Sequence, residues 1–281
     1  MDIKKLLEDA AVKLNRASEV NLAVRGGNSG VYNEHGETVA DSPSQCLRMI
    51  TLRAYGLSEP ISLKTQLTFH VGFAWESLFE KLLRASDVVT DLQVQRPIKE
   101  GGPIPWTGTV DFTAKINGED ILFDTKSISS LNSYTDVFKD NKVKTSYVAQ
   151  MVRYMYTLKI KKGFLVYASF IYVSKNNVTA GQYRKMGEKS AAPSIQAVSI
   201  IIENDLILVD GFEWKYDLAD VLEHTLQAQN HLHNETVEPL RPISDGDFSP
   251  CFSCYFKPVC AKFEAIGSPD LKTFLKLARE N

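Results

Sequence analysis

Three acidic side chains and one lysine occur in an order suited to hydrolysis of a phosphodiester. Glu76 lies in a segment with helical periodicity, Asp111 ends the segment Gly108-Thr109-Val110-Asp111, and Asp124-Thr125-Lys126 follows. Carboxylate oxygens select magnesium or manganese, which polarise a phosphate and lower the pKa of a bound water. The lysine would orient or deprotonate the attacking water, or offset charge in the transition state. The set therefore predicts metal-dependent chemistry on phosphates.

The two aspartates lie on segments that the sequence predicts to be neighbouring strands. Asn117-Gly118 is a strong hairpin signal between two alternating segments. Antiparallel pairing would bring Asp111 and Asp124 together, and Lys126, two residues after Asp124, would project to the same side of its strand. The alternative is an ordinary charged strand end, because an Asp-x-Lys triplet is common by chance.

Glu76 is the candidate for a third metal ligand. It shares a helix face with Gly72, whose small size would let the helix approach the sheet closely. The apolar residues of this helix recur at intervals of three and four and predict that it is strongly buried: Leu67, Val71, Ala74, Trp75, Leu78, Leu82 and Leu83. Alternatively, Glu76 merely flanks the buried face of an amphipathic helix.

The periodicity of the whole chain predicts an α/β protein. Helices are expected at 64–85, 147–160 and 218–233, and strands at 92–98, 107–116, 121–126, 164–173, 197–203 and 206–209. Another helix would start at Ser42-Pro43-Ser44 and end near Gly56, with Cys46 in its first turn. We divide the chain into an N-terminal helical segment (1–63), a catalytic core (64–215) and a C-terminal helical segment (216–281) that form one compact unit.

The order of these motifs resembles the PD-(D/E)XK nucleases, specifically the RecB-type exonuclease branch. The matching motifs are GTVD at 108–111, DTK at 124–126 and QMVRY at 150–154. The resemblance implies a restriction-endonuclease-like core with a mixed central sheet flanked by helices. It implies that Asp111 and Asp124 bind the metal, that Lys126 supports catalysis, and that Gln150 and Tyr154 lie near the site. The four-residue spacing of the last two puts them on one helix face.

Two positions depart from the usual pattern of that branch. Many members have histidine four residues after the helix glycine, where this chain has Glu76, although other members have glutamate there. Glutamate is a good ligand for hard cations, so the change is compatible with activity and bears on the preference between magnesium and manganese. The usual proline before the first aspartate is replaced by Val110.

Four cysteines form a second group suited to chemistry, and three of them fall within ten residues. They are Cys46, Cys251, Cys254 and Cys260. Such clustering in an intracellular chain favours a metal site over a disulfide framework. Three clustered thiolates need a fourth ligand, and Cys46 is the cysteine that remains. The alternative is structural zinc, on the same thiolates or with a histidine such as His224, His231 or His233.

The segment PSQCLR at 43–48 and the C-x2-C-x5-C pattern near the end resemble the iron-sulfur members of the same branch. These include the AddB nuclease domain and the CRISPR-adaptation nucleases, in which one cysteine precedes the nuclease motifs and three follow them. The resemblance implies a 4Fe-4S cluster that fastens the N- and C-terminal segments around the core.

The charge balance limits how the chain can contact DNA. Its 34 acidic residues nearly balance 32 basic ones, so a generally basic, nucleic-acid-coating protein is excluded and DNA contact requires a local patch. Two basic stretches are candidates, with a solvated charged face as the alternative: Arg153, Lys159, Lys161 and Lys162, then Tyr183, Arg184, Lys185 and Lys189. No apolar stretch approaches the roughly 20 residues that span a bilayer, and we expect a cytoplasmic protein without a membrane partner.

The leading hypothesis is a DNA exonuclease that acts on ends or single strands, with magnesium or manganese. The resemblance supplies the exonuclease expectation. As protein partners we expect a helicase, recombinase or integrase, in recombination, repair or replication. A second hypothesis is a DNA-end-binding adaptor subunit of such a complex or of a CRISPR-adaptation complex. A third is a zinc-stabilised interaction protein without nuclease activity.

Overall fold

The computed structural model describes residues 24–25, 46–57, 63–101, 104–170, 194–237, 255–267 and 270–280. In chain order the elements are β1 (Val24–Arg25), α1 (Leu47–Ala54), α2 (Leu63–Arg84), β2 (Val89–Glu100), β3 (Trp106–Ile116), β4 (Glu119–Ile128), α3 (Leu131–Phe138), α4 (Thr145–Leu158), β5 (Lys162–Ser169), β6 (Ser194–Glu203), β7 (Leu206–Val209), β8 (Phe212–Glu213), α5 (Leu218–His233), α6 (Lys257–Ile266) and α7 (Leu271–Arg279). None of the described helices combines the length and the apolar character needed to cross a membrane.

The described strands form one mixed sheet of eight strands. β3 pairs with β2 along one edge and with β4 and β1 along the other, while β5, β6, β7 and β8 extend the sheet beyond β4. The β1–β3 and β4–β5 pairs are parallel and the others are antiparallel. Asn117 and Gly118 have φ values of 52° and 85°, as a primed two-residue turn requires, and they close the β3–β4 hairpin that their sequence predicts.

Helices cover both faces of this sheet. α2 packs Trp75 and Leu83 against Phe112 and Phe123 on one face. α4 and α5 cover the other face, where their apolar residues join Leu122 of β4 in a second cluster. Neighbouring residues of β4 thus belong to opposite layers, because strand side chains alternate between faces. The α/β class and the mixed sheet flanked by helices are therefore as expected from the sequence.

The helices and strands expected from the periodicity occur in the expected order, with ends displaced by a few residues. Residues 171–173 of one expected strand, and residues 42–45 at the start of the first expected helix, lie outside the described residues. Cys46 is not in the first turn of α1 but immediately precedes it, and its carbonyl accepts a hydrogen bond from the Ile50 amide at 3.1 Å. Cys46 therefore marks the entry to α1.

The expected burial of α2 is only partly right. Trp75 and Leu83 are buried, whereas four apolar residues of the same periodic set are 41–58% exposed: Leu67, Val71, Leu78 and Leu82. The apolar set spreads around more of the helix than a single sheet face covers. Periodicity located the helix but overstated how much of it is covered.

The N- and C-terminal segments meet in a separate apolar cluster. Leu52 of α1 packs there with residues of α6 and α7, among them Val259 and Phe274. Arg48 of α1 forms an ion pair with Glu264 of α6. Its guanidinium also lies 5.8 Å from the ring centre of Phe274. These contacts join α1 directly to the C-terminal helices α6 and α7.

Candidate active site

Asp111 and Asp124 lie side by side where β3 and β4 part. The last backbone pair of this ladder is Phe112 with Phe123, and the two aspartates are the next residue on each strand. Beyond that point the Thr125 amide donates to Asp111 Oδ2 at 2.8 Å, and the Thr125 hydroxyl lies 3.1 Å from the same oxygen. The Asp111 carboxylate thus takes the place of a backbone partner and is held in one orientation.

Asp124 and Lys126 form a buried ion pair. Lys126 Nζ contacts Asp124 Oδ2, and Asp124 is only 1% exposed. Burial raises the pKa of Asp124, the charge of Lys126 opposes this shift, and the charge of Asp111 adds to it. Burial alone would lower the pKa of the Lys126 ammonium, but Asp124 and Asp111 raise it further than burial lowers it. The lysine is therefore held in its charged form.

Glu76 reaches this group from α2. The pKa of its carboxyl is raised to about 7, chiefly by burial and further by the charges of Asp111 and Asp124, while the charge of Lys126 lowers it. Its Oε2 accepts a hydrogen bond of 3.0 Å from Gln95 Nε2. The structure thus brings Glu76 into the electrostatic range of both aspartates.

Gly72 lies against β4, as expected, but it is not needed there for space. A Cβ atom at this position would lie 3.5 Å from Ser127 Oγ, which is an ordinary van der Waals contact. An alanine would therefore also fit between α2 and β4 at this position, because the neighbouring side chain is small.

Gln150 and Tyr154 lie on one face of α4 and contact each other. Gln150 Nε2 donates to the Tyr154 hydroxyl at 2.9 Å. The pKa of Tyr154 is raised to about 12, chiefly by burial and also by the charge of Asp124, while the hydrogen bond from Gln150 lowers it. A Cβ atom at Gly108 would lie 2.6 Å from Tyr154 Cε1, so the absence of a side chain there makes room for the tyrosine ring. This contact ties the GTVD segment to the QMVRY segment.

Two side chains near the site were missed in the sequence. Tyr147 lies on the same helix as Gln150, and its ring centre is 4.9 Å from Lys126 Nζ and 5.4 Å from Lys144 Nζ. Tyr147 could have been predicted to lie near the site, because it is three residues before Gln150 and therefore on the same helix face. Gln95, which contacts Glu76, had no such signal, because its position depends on how β2 aligns with β3.

The carboxylates of Glu76, Asp111 and Asp124 have the donor chemistry that suits magnesium or manganese. Burial is the main reason why the pKa values of Glu76 and Asp124 are raised, and the charges of the neighbouring carboxylates raise them further; a bound cation would offset both effects. Among the described residues, however, no three His, Cys, Asp or Glu side chains are grouped closely enough to hold one ion. The donors fit a metal in kind, and the three carboxylates would have to draw closer together around an ion for all of them to bind it.

The two cysteines within the described ranges lie on segments that touch each other. Cys46 immediately precedes α1, and Cys260 is buried in α6. Arg48 lies two residues after Cys46 and pairs with Glu264, which is one helical turn after Cys260. Cys251 and Cys254 lie outside the described residues, as does the basic stretch at 183–189. The side chain of His224, one of the alternative zinc ligands, is also outside them.

Arg153 is not available to DNA, in contrast to the expectation from its basic stretch. It is 6% exposed, its Nη2 lies 2.7 Å from Glu100 Oε2, and its guanidinium is 4.9 Å from the ring centre of Trp106. Arg153 belongs to a run of buried residues in the middle of α4, from Met151 to Met155. Lys159 and Lys161 of the same stretch are exposed.

The sequence matches no protein-family model and no curated protein sequence. Among solved structures, the chain is similar to SSO0001, with 14% identity over 92% of this chain and 96% of that chain and a TM-score of 0.45. It is also similar to a phage-related exonuclease from Haemophilus somnus 129PT, with 13% identity over 66% of this chain and 78% of that chain and a TM-score of 0.39. Structural similarities with such low identities and TM-scores do not support a function. A function must be argued from the residues of the site.

Proposed function

We propose that this chain is a metal-dependent DNA nuclease that hydrolyses phosphodiester bonds. The observation that supports this best is the buried Asp124–Lys126 pair beside Asp111, at the gap between β3 and β4. Burying two charges costs several kcal/mol of desolvation per ion in proteins, and apolar residues would often stabilise a fold better. A role in chemistry explains why such a pair occupies this place.

Asp111 and Asp124 would hold the magnesium or manganese ion, with Glu76 as the third ligand. A bound ion of this kind polarises the phosphate and lowers the pKa of a water molecule. The two contacts from Thr125 to Asp111 Oδ2 fix that carboxylate in advance. Preorganisation of this sort lowers the cost of arranging charges during the reaction.

Lys126 would act on the scissile phosphate or on the attacking water. Its ammonium stays charged because two aspartates surround it, and the ring of Tyr147 limits its direction. Lys144, which contacts the same ring, adds a second positive charge next to the site. Gln150 and Tyr154 would support the site indirectly, by holding α4 against Gly108 of β3.

The resemblance of the motifs to the RecB-type exonuclease branch favours exonucleolytic action on DNA ends or single strands. In this form of the proposal, the chain works beside a helicase, recombinase or integrase that supplies the end. An adaptor that only binds DNA ends would not need the Asp111, Asp124 and Lys126 arrangement. Cleavage therefore separates the two functions.

We also propose that Cys46, Cys251, Cys254 and Cys260 hold a 4Fe-4S cluster with a structural role. The contact between α1 and α6 supports this, because it brings the segments that carry Cys46 and Cys260 together. A zinc ion on the same thiolates is the alternative and would tie the same segments together.

The proposal is tested with end-labelled single-stranded, duplex and overhang DNA. We expect the wild-type protein to degrade one or more of these in manganese and Asp124→Ala to be inactive while still folded. Binding of the same DNA is measured in calcium. Binding without cleavage by the wild type would favour the adaptor, and full activity of Asp124→Ala would exclude the proposed site.

A further inference from the structure

Gln95 lies in one row with the two aspartates across three strands. Val94 pairs with Phe112 and Arg96 pairs with Val110, so Gln95 stands opposite Asp111. Asp111 in turn neighbours Asp124 at the end of the β3–β4 ladder. The register on both sides of Gln95 brings its backbone next to Asp111, although Gln95 itself departs from regular strand geometry. Gln95 therefore flanks the acidic group on the β2 side.

The backbone of Gln95 is in an uncommon conformation for a strand. Its φ is 50°, in the left-handed region that residues other than glycine rarely adopt. Such conformations persist where the surrounding structure imposes them, and they cluster at functional sites. At this position the side-chain amide meets Glu76, with Gln95 Nε2 at 3.0 Å from Glu76 Oε2.

The hydrogen bond from Gln95 acts against the repulsion between Glu76 and the two aspartates. Glu76 lies on a helix that is open to solvent on one side, and the negative charges of Asp111 and Asp124 act against its own charge. A neutral amide donor holds a carboxylate in place without adding a competing charge, and hydrogen bonds to charged groups are stronger than those between neutral groups. The hydrogen bond therefore favours the observed side-chain position, in which Glu76 is close enough to Asp111 and Asp124 for their charges to act on it.

We infer that Gln95 is a positioning residue that holds the Glu76 carboxylate at the metal-binding end of the site. The inference rests on the proposed nuclease function and extends it to β2. Gln95 acts through Glu76 and need not touch DNA or metal.

The test measures two quantities. The affinity for Mn²⁺ is obtained from the electron paramagnetic resonance signal of the free ion, and the rate of DNA cleavage is measured alongside it. We expect Gln95→Ala to weaken Mn²⁺ binding and to slow cleavage by about tenfold each, as loss of a hydrogen bond to a charged group would do. The matched control is Gln93→Ala, an exposed glutamine on the same strand opposite Thr113, which should stay within about twofold of the wild type. Gln95→Gly removes the amide but accepts the φ of 50° without strain, so it should fold at least as well and be equally impaired.

A double-mutant cycle distinguishes positioning from a general structural effect. In a Glu76→Ala background, Gln95→Ala should change the Mn²⁺ affinity less than twofold, because its partner is already gone. The inference is overturned if the two effects multiply, or if Gln95→Ala and Gln95→Gly behave like Gln93→Ala while Asp124→Ala is inactive. If Asp124→Ala is fully active, the proposed nuclease site itself fails.

Discussion

At the residue scale, the acidic group is costly to charge in the absence of a cation. Burial and the charges of Asp111 and Asp124 raise the pKa of Glu76 to about 7 in the folded protein, from an ordinary value of 4.5. The folded state therefore holds this proton to higher pH than the unfolded state does. The stability that it contributes is present at low pH and is lost as the pH rises through that range.

This predicts how Glu76→Gln responds to pH. In the metal-free protein, the free energy of unfolding of the variant minus that of the wild type should be larger at pH 8 than at pH 5, because the glutamine never ionises. Urea unfolding in the presence of a chelator at both pH values measures it. A difference between variant and wild type that does not depend on pH would contradict the electrostatic account of Glu76.

Some site residues could be predicted from the sequence because short local motifs mark them, and others could not because strand pairing alone places them. Asp111, Asp124 and Lys126 follow from local motifs, because a hairpin and a spacing of two fix their relative positions. Gln95 could not be found, because its place beside Asp111 results from the pairing of β2, in which the register shifts between Thr90 and Gln93. A register shift of this kind cannot be predicted from the alternation of apolar and polar residues in one strand.

At the scale of elements, the packing of β3 against α4 depends on Gly108. A Cβ atom there would overlap the Tyr154 ring. Gly108→Ala should therefore displace Tyr154 and lower the free energy of unfolding by about 1–3 kcal/mol, the usual cost of overpacking. The matched control is Gly101→Ala, because a Cβ atom at Gly101 would meet nothing within 4 Å. Equal unfolding midpoints for the two variants would show that Gly108 does not set this contact.

Elements were foreseen where their periodicity is long or their turn chemistry is specific. α5 begins at Leu218 and ends at His233, as expected, and its N-cap Asp217 accepts a hydrogen bond from the Asp220 amide. α3 was not foreseen, because eight residues are too few to establish a helical period. The exposed side of α2 was not foreseen either, because apolar spacing shows a face without showing what covers it.

At the scale of the whole molecule, α1 packs against α6 and so joins the N-terminal segment to the C-terminal one. The proposed cluster would strengthen this contact. The protein purified without oxygen should be brown and contain iron. Cys260→Ser should lose that iron and melt at a lower temperature, because metal binding is coupled to folding. Lys126→Ala leaves all four cysteines in place and should retain the iron. A colourless protein with bound zinc would favour zinc, and a metal-free wild type would exclude both centres.

The most direct test of the central claim is the single-turnover rate of DNA cleavage by Lys126→Ala in manganese. The control is Lys115→Ala, a lysine on the adjoining strand that pairs with Asp120 at 2.8 Å, away from the acidic group. We expect Lys126→Ala to slow cleavage by about 100-fold or more, as removal of a charge-stabilising donor does in other enzymes, and Lys115→Ala to stay close to the wild type. Equal rates for Lys126→Ala and the wild type would contradict the assignment of this site.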